Sequence, residues 1–214
     1  MVAFGCVETE AGNLPAVAFL VTYANGTQGF HYRGDLWGKG KWRHQQGGKA
    51  SEAVFALHNE KVPEGITKKR FIIITESPMD ATTLIAAGSP AIAVSGCKNA
   101  EALACDYHKQ TLLQAIGENG VVYVWQELDA EGFAQRIANA LLRPVKVISI
   151  PNPEKKDAFR LWLSYGKNWQ ALRDVVKELL ESCDEIFTPR QPDPVATTTT
   201  TVLRYTNAMW KPLR

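Results

Sequence analysis

The sequence predicts an α/β protein: a four-stranded, mostly parallel sheet flanked by helices and preceded by a small N-terminal antiparallel β module. Three observations carry that expectation. Beyond Lys68-Lys69-Arg70, apolar runs of strand length alternate with stretches of helical spacing. Before it, an apolar, β-branched run from Ala16 to Tyr23 meets Asn25-Gly26, a strong hairpin signal, and Gln28 to Arg33 resumes as the partner strand. Finally, three apolar runs each lead into carboxylates: Phe71 to Thr75 into Glu76, Val121 to Trp125 into Glu127 and Asp129, and Val145 to Ile150 toward Asp157.

After the hairpin, glycines at 34, 38, 40, 47 and 48 break the chain into a loop and a short strand. Phe71 to Thr75 is the first core strand. Ser77-Pro78 reads as an N-cap with proline at the first helical position, and Gly88 stops that helix. Ala91 to Val94 follows as a strand, then a helix between Ala100 and Ile116. Glu118-Asn119-Gly120 turns into the strand Val121 to Trp125. Phe133, Ile137, Ala140 and Leu141 recur at helical spacing until Pro144, after which Val145 to Ile150 is the fourth strand. Trp169, Leu172, Val175, Val176, Leu179 and Leu180 give a last amphipathic helix. Past Phe187, Pro189, Pro192 and Pro194 followed by five consecutive threonines read as a tail or linker, so the expected divisions are 1–68, 69–187 and 188–214.

With 214 residues, 45% apolar and 21% charged, the chain is long enough for one sizeable core. A net charge of +2 is too mild to argue for a polyanion partner by itself. Cys6, Cys97, Cys105 and Cys183 form no C-x-x-C pair and meet no histidine at finger spacing, so neither a zinc ribbon nor a redox motif is supported and a reduced, cytoplasmic setting fits. No signal-peptide pattern and no membrane-length apolar stretch is present.

The acids carry the functional expectation. In an open α/β sheet, ligands bind outside the carboxyl ends of the parallel strands, so acids set there by several strands face one crevice. Clustered carboxylates repel, and a hard divalent cation such as Mg2+ relieves that. Each acid also has an ordinary role open to it. Asp80 suits the dipole of a first helical turn, Asp129 suits a cap for a helix beginning near Ala130, and Glu127 and Asp157 suit solvated loops. Glu76 is harder to dismiss, since it continues a strand buried on both faces.

The segment Ile74-Thr75-Glu76-Ser77-Pro78-Met79-Asp80 resembles the first motif of the Toprim family, a strand-end glutamate followed four residues later by an aspartate. Glu127-Leu128-Asp129-Ala130-Glu131-Gly132 resembles the family's D-x-D-x-x-G, with Glu in place of the first Asp. Pro151 to Asp157 is similar to the lysine-aspartate motif of primases and phage primase-helicases, in its single-aspartate form. The resemblance spans about residues 69–168. It implies a Toprim sheet and a phosphoryl-transfer centre using Mg2+, or Mn2+ in its place. Glu76 would do the acid-base work, with Glu127, Asp129 and Asp157 holding metal and Asp80 as a further ligand or supporting acid. Two metals can stabilise attacking and leaving oxygens at phosphorus, and carboxylates suit such ions.

Lys39, Lys41, Trp42 and Arg43, with His44 and Lys49 nearby, suit phosphate contacts and stacking on unpaired bases, or a solvated hairpin with Trp42 in the core. Lys98, after a single glycine, reaches the crevice or stands as a solvated lysine of a strand-to-helix turn. The four histidines share no ligand spacing and read as structural or surface residues. The function expected is that of a primase-like enzyme of a phage, plasmid or other mobile element. Its partners would be single-stranded DNA, nucleoside triphosphates and a replicative helicase. A Toprim nuclease and a non-catalytic nucleic-acid-binding module are the alternatives.

Overall fold

The computed structural model describes residues 2–9, 12–34, 42–45, 47–59, 61–150 and 152–190, and for residues 2–9, 12–15, 42 and 43 the backbone alone. The chain opens with β1 (Val2–Thr9), β2 (Gly12–Thr22), β3 (Gln28–Arg33), β4 (Trp42–His44) and β5 (Val54–Phe55). It continues through α1 (Lys61–Lys69), β6 (Phe71–Thr75), α2 (Pro78–Ala86) and β7 (Ala91–Val94). Then come a 3-10 segment (Cys97–Ala104), α3 (Asp106–Ile116), β8 (Val121–Trp125), α4 (Phe133–Leu141) and β9 (Val145–Ile148). The last elements are α5 (Ala158–Ser164), α6 (Trp169–Glu181) and β10 (Ile186–Phe187).

The expected four-stranded parallel core is present, as β9-β8-β6-β7. Those strands alternate as a sheet covered on both faces must. Ile72 and Ile74 of β6, Val122 and Val124 of β8 and Ile92 and Val94 of β7 meet α1, α3 and α4 on one face. Ile73, Trp125, Ala91 and Ala93 point the other way, toward α2, α5 and α6. Full burial of each large apolar side chain stabilises the fold by roughly 1.5–3 kcal/mol.

The N-terminal strands are hydrogen-bonded into the same sheet. Two residues suffice: β5 pairs antiparallel with β7 through Val54 and Phe55, and with β2 through Val21 and Thr22. The result is one ten-stranded sheet in which β10 and β4 are the ends of the path and β1 lies along β2. The β2–β3 turn closes with Tyr23 and Thr27 paired at 2.8 Å and Gly26 at φ +81°. Four further departures from the sequence reading appear. A helix not expected from the sequence, α1, ends at Lys68 and Lys69, one residue before β6 begins. The expected helix from Ala100 divides at Cys105, whose backbone is extended. The fourth core strand stops at Ile148. An additional helix, α5, follows the third acidic motif. Among the described residues no helix is long and apolar enough to cross a membrane.

Candidate active site

Loops at the carboxyl ends of β6, β8 and β9 position the acids. Glu76 follows β6 directly. Its backbone carbonyl accepts the N–H of Gly96 at 2.9 Å and its carboxylate accepts the N–H of Cys97 at 3.0 Å, so the loop after neighbouring β7 clasps it. Gly96 permits this with φ +99°, a conformation a Cβ would disfavour. Burial, with the charge of Glu127 added, raises the Glu76 pKa above the usual carboxylate range.

Ser77 caps α2 by accepting the Met79 N–H at 3.2 Å, with Pro78 at the first helical position. That geometry puts Asp80 in the first turn with its side chain turned inward, only 4% exposed. Its carboxylate accepts the Phe159 N–H at 3.1 Å. Burial first, then repulsion from Asp157, pushes its pKa up to about 7. Favouring the helix dipole does not require such burial.

Beyond β8, the buried Trp125 donates its indole N–H to the Lys156 carbonyl at 3.0 Å, pinning the loop after β9 against the end of β8. The Lys156 ammonium then stands 2.7 Å from both Asp129 oxygens and 3.1 Å from Glu127 Oε2. Burial raises the Glu127 pKa against the opposing pull of Lys156, whereas the lysine lowers that of Asp129, whose side chain is 72% exposed. Asp129 does not cap α4: the capping position belongs to Gly132, at φ +73°. Asp157 is no free loop charge either, since it caps α5, accepting the Arg160 N–H at 2.6 Å.

Glu76, Asp80, Glu127 and Asp157 line one cleft of about 520 Å³ together with Lys156 and Arg160. Asp129 reaches it only through Lys156. His31, Arg33 and His44 of β3 and β4 line the same cleft, although β7, β5 and β2 lie between β6 and β3 in the sheet. His31 is buried with Nδ1 2.9 Å from Ser95 Oγ, its ring 4.0 Å from that of His44, and its Nε2 has no hydrogen-bond partner among the described residues. Burial and His44 lower its pKa to about 3. Sequence spacing did not single out this wall, because only the register that sets His31 opposite His44 brings the two rings together. Lys156 was visible only as part of a motif.

Lys98 is exposed and does not line the cleft. The backbones of Trp42 and Arg43 form β4, opposite Arg33 and Tyr32, and their side chains lie outside the described residues, as do Lys39 and Lys41.

Among the described residues no three His, Cys, Asp or Glu side chains are gathered closely enough to hold a metal ion. The donor chemistry nevertheless fits a hard divalent cation. Four carboxylates, of Glu76, Asp80, Glu127 and Asp157, line the cleft and are oxygen donors of the kind such an ion takes, while burial, the first cause, raises the pKa of Glu76, Asp80 and Glu127.

The sequence matches no protein-family model and no curated protein. Solved structures do match. The Aquifex aeolicus primase (zinc-binding and RNA polymerase domains) superposes at TM-score 0.55 and 17% identity, covering 83% of this chain and 43% of that one. A DnaG primase catalytic domain bound to single-stranded DNA gives 0.53 and 18%, covering 86% and 58%. The primase fragment of the bacteriophage T7 primase-helicase protein gives 0.50 and 15%, covering 80% and 66%. The chain thus spans less than two thirds of each of these. Its fold is that of primase catalytic domains.

Proposed function

We propose that this chain is a primase-like nucleotidyltransferase of the Toprim kind, joining ribonucleotides on single-stranded DNA in the replication of a phage, plasmid or other mobile element. One observation carries the reading: four carboxylates, from the ends of β6 and β8 and the starts of α2 and α5, share a single cleft at the ends of the parallel strands, in a fold like that of primase catalytic domains.

In this reading Asp80, Glu127, Asp129 and Asp157 would hold Mg2+, whose chemistry would be to offset charge on the phosphate oxygens. The chain's own groups have distinct tasks. Glu76, with its raised pKa and a carboxylate oriented by the Cys97 N–H, is suited to take the proton of an attacking hydroxyl. Lys156 and Arg160 offer cations to a triphosphate. His31, held by Ser95, presents its face of the cleft to the nucleotide. Nucleoside triphosphates and single-stranded DNA are the proposed ligands, and a helicase the proposed partner.

The ion pairs of Lys156 with Glu127 and Asp129 favour a second reading, a non-catalytic nucleic-acid-binding module in which these two acids are held by a lysine in place of a metal. Incubation with single-stranded DNA, labelled ribonucleotides and Mg2+ separates the possibilities. Short RNA supports primer synthesis, shortened DNA a nuclease, and neither product the binding module. Glu76→Gln should abolish product while leaving DNA affinity within about twofold of wild type. A fully active Glu76→Gln protein would overturn the assignment.

A further inference from the structure

The α5–α6 corner carries an exposed aromatic surface that the cleft does not account for. Gly166 and Lys167 both adopt positive φ, +62° and +63°, which turns the chain sharply after Tyr165. Asn168 then caps α6 by accepting the N–H groups of Gln170 and Ala171. The turn stacks Trp169 on Trp162, with ring centroids 4.3 Å apart and planes at 21°. Leu163, Tyr165 and Trp169 are left 41%, 38% and 39% exposed. Single exposed apolar residues are ordinary, but three on one corner mark a contact surface.

The charges around it lean positive. Lys155 stands over the Tyr165 ring at 5.6 Å. From 154 to 169 the sequence has four cations, Lys155, Lys156, Arg160 and Lys167, against two acids, Glu154 and Asp157. Asp157 is engaged by Arg160, and Lys156 by Glu127 and Asp129, which leaves Lys155 and Lys167 against Glu154. The corner is also continuous with the acidic cleft. Arg160 and Leu163 line that cleft and, with Lys155, an open hollow beside it.

We propose that Leu163, Tyr165 and Trp169, flanked by Lys155, Arg160 and Lys167, form a ledge that binds a single-stranded nucleic acid running to or from the cleft. Aromatic rings offer every base a stacking face, and cations follow the phosphates, a combination that suits an unpaired strand and not a duplex. Where the strand goes next rests on the functional reading above. The binding itself does not.

The test is fluorescence anisotropy of labelled oligonucleotides with the full chain in EDTA, so that no divalent ion contributes. Single-stranded DNA, single-stranded RNA and duplex arms identify the strand bound. Tyr165→Ala should weaken single-strand binding roughly tenfold, and Lys155→Gln with Lys167→Gln should lower the salt slope by roughly 1.4. Trp169→Ala risks loosening the corner, so the Tyr165 and lysine variants, with unchanged thermal melts, carry the decision. Wild-type affinity in both overturns the ledge, and if the same protein still makes primers the functional reading survives. Loss of binding in both, with no primer from wild type, keeps the ledge and removes the primase reading. A dimer that Trp169→Ala dissociates, with oligonucleotide binding unmoved, assigns the face to a second copy and overturns the proposal.

Discussion

Asp80 accepts the backbone N–H of Phe159 at 3.1 Å, joining the first turn of α2 to the first turn of α5 across the cleft. The bond fixes a buried carboxylate whose pKa has risen from 3.8 to about 7. Because the folded state holds this proton more tightly than the unfolded chain, Asp80 contributes most stability at low pH and loses it as pH rises from about 4 to 7. Asp80→Asn keeps an acceptor for Phe159 without the charge. Urea unfolding at pH 8 should find it about 2 kcal/mol more stable than wild type, with little difference at pH 4. A variant no more stable at pH 8 would show that the charge is not the burden.

A divalent cation in the cleft has the same sign of effect by another route. If the acids bind Mg2+, adding it at pH 8 should raise the wild-type melting temperature by mass action, and EDTA should reverse the gain. The rise should shrink in Asp157→Asn and in Glu127→Gln. Identical shifts in wild type and both variants would place the ion elsewhere.

Two histidines run opposite to Asp80. Burial with His44 lowers His31 to about 3, and burial with His108 lowers His58 to about 4, its Nε2 being 2.9 Å from His108 Nδ1. The unfolded chain therefore takes up protons first, and the protein loses their contribution as pH falls from 6.5 to about 4 for His58 and on to about 3 for His31. Imidazole NMR titration should show both rings still neutral at pH 5. A midpoint near 6.5 for either would contradict the packing.

The parallel core was legible because each strand is a short apolar run ended by a sharp signal. Ser77-Pro78 after β6 and Gly120 before β8 are local chemistry, and the limits of β6, β7 and β8 follow from them. α1 was not legible, since Pro63 and Gly65 argue against a helix; Pro63 sits in the first turn, where its missing N–H is not needed. α5 is seven residues long and β10 two, too short for periodicity to show. Which strand ends carry acids was readable. That Trp125 ties down Lys156, or that β3 and β4 add a histidine wall, was not, because both depend on contacts between segments far apart in the chain.

Lys156 tests the balance within the cleft. Its bond to the exposed Asp129 is worth little, whereas Glu127 and Lys156 are both largely shielded from water, with side chains 15% and 19% exposed. Lys156→Met leaves Glu127 shielded and unpaired. The variant should lose about 1–2 kcal/mol at pH 8 and far less at pH 4, where Glu127 can take a proton. Equal losses at both pH values would mean that lysine packing, not charge, holds the loop.

Asp157 combines two roles that substitution can separate. Its Oδ1 caps α5 through the Arg160 N–H, so Asp157→Ala removes the cap and should cost about 1 kcal/mol. Asp157→Asn retains a capping oxygen and should melt within about 0.5 kcal/mol of wild type, since Asn and Asp cap comparably. If the carboxylate serves the proposed chemistry, both variants should lose primer synthesis by at least about tenfold although only one is destabilised. Normal synthesis by Asp157→Asn would leave this residue a cap alone, and the functional site would then rest on Glu76, Asp80 and Glu127.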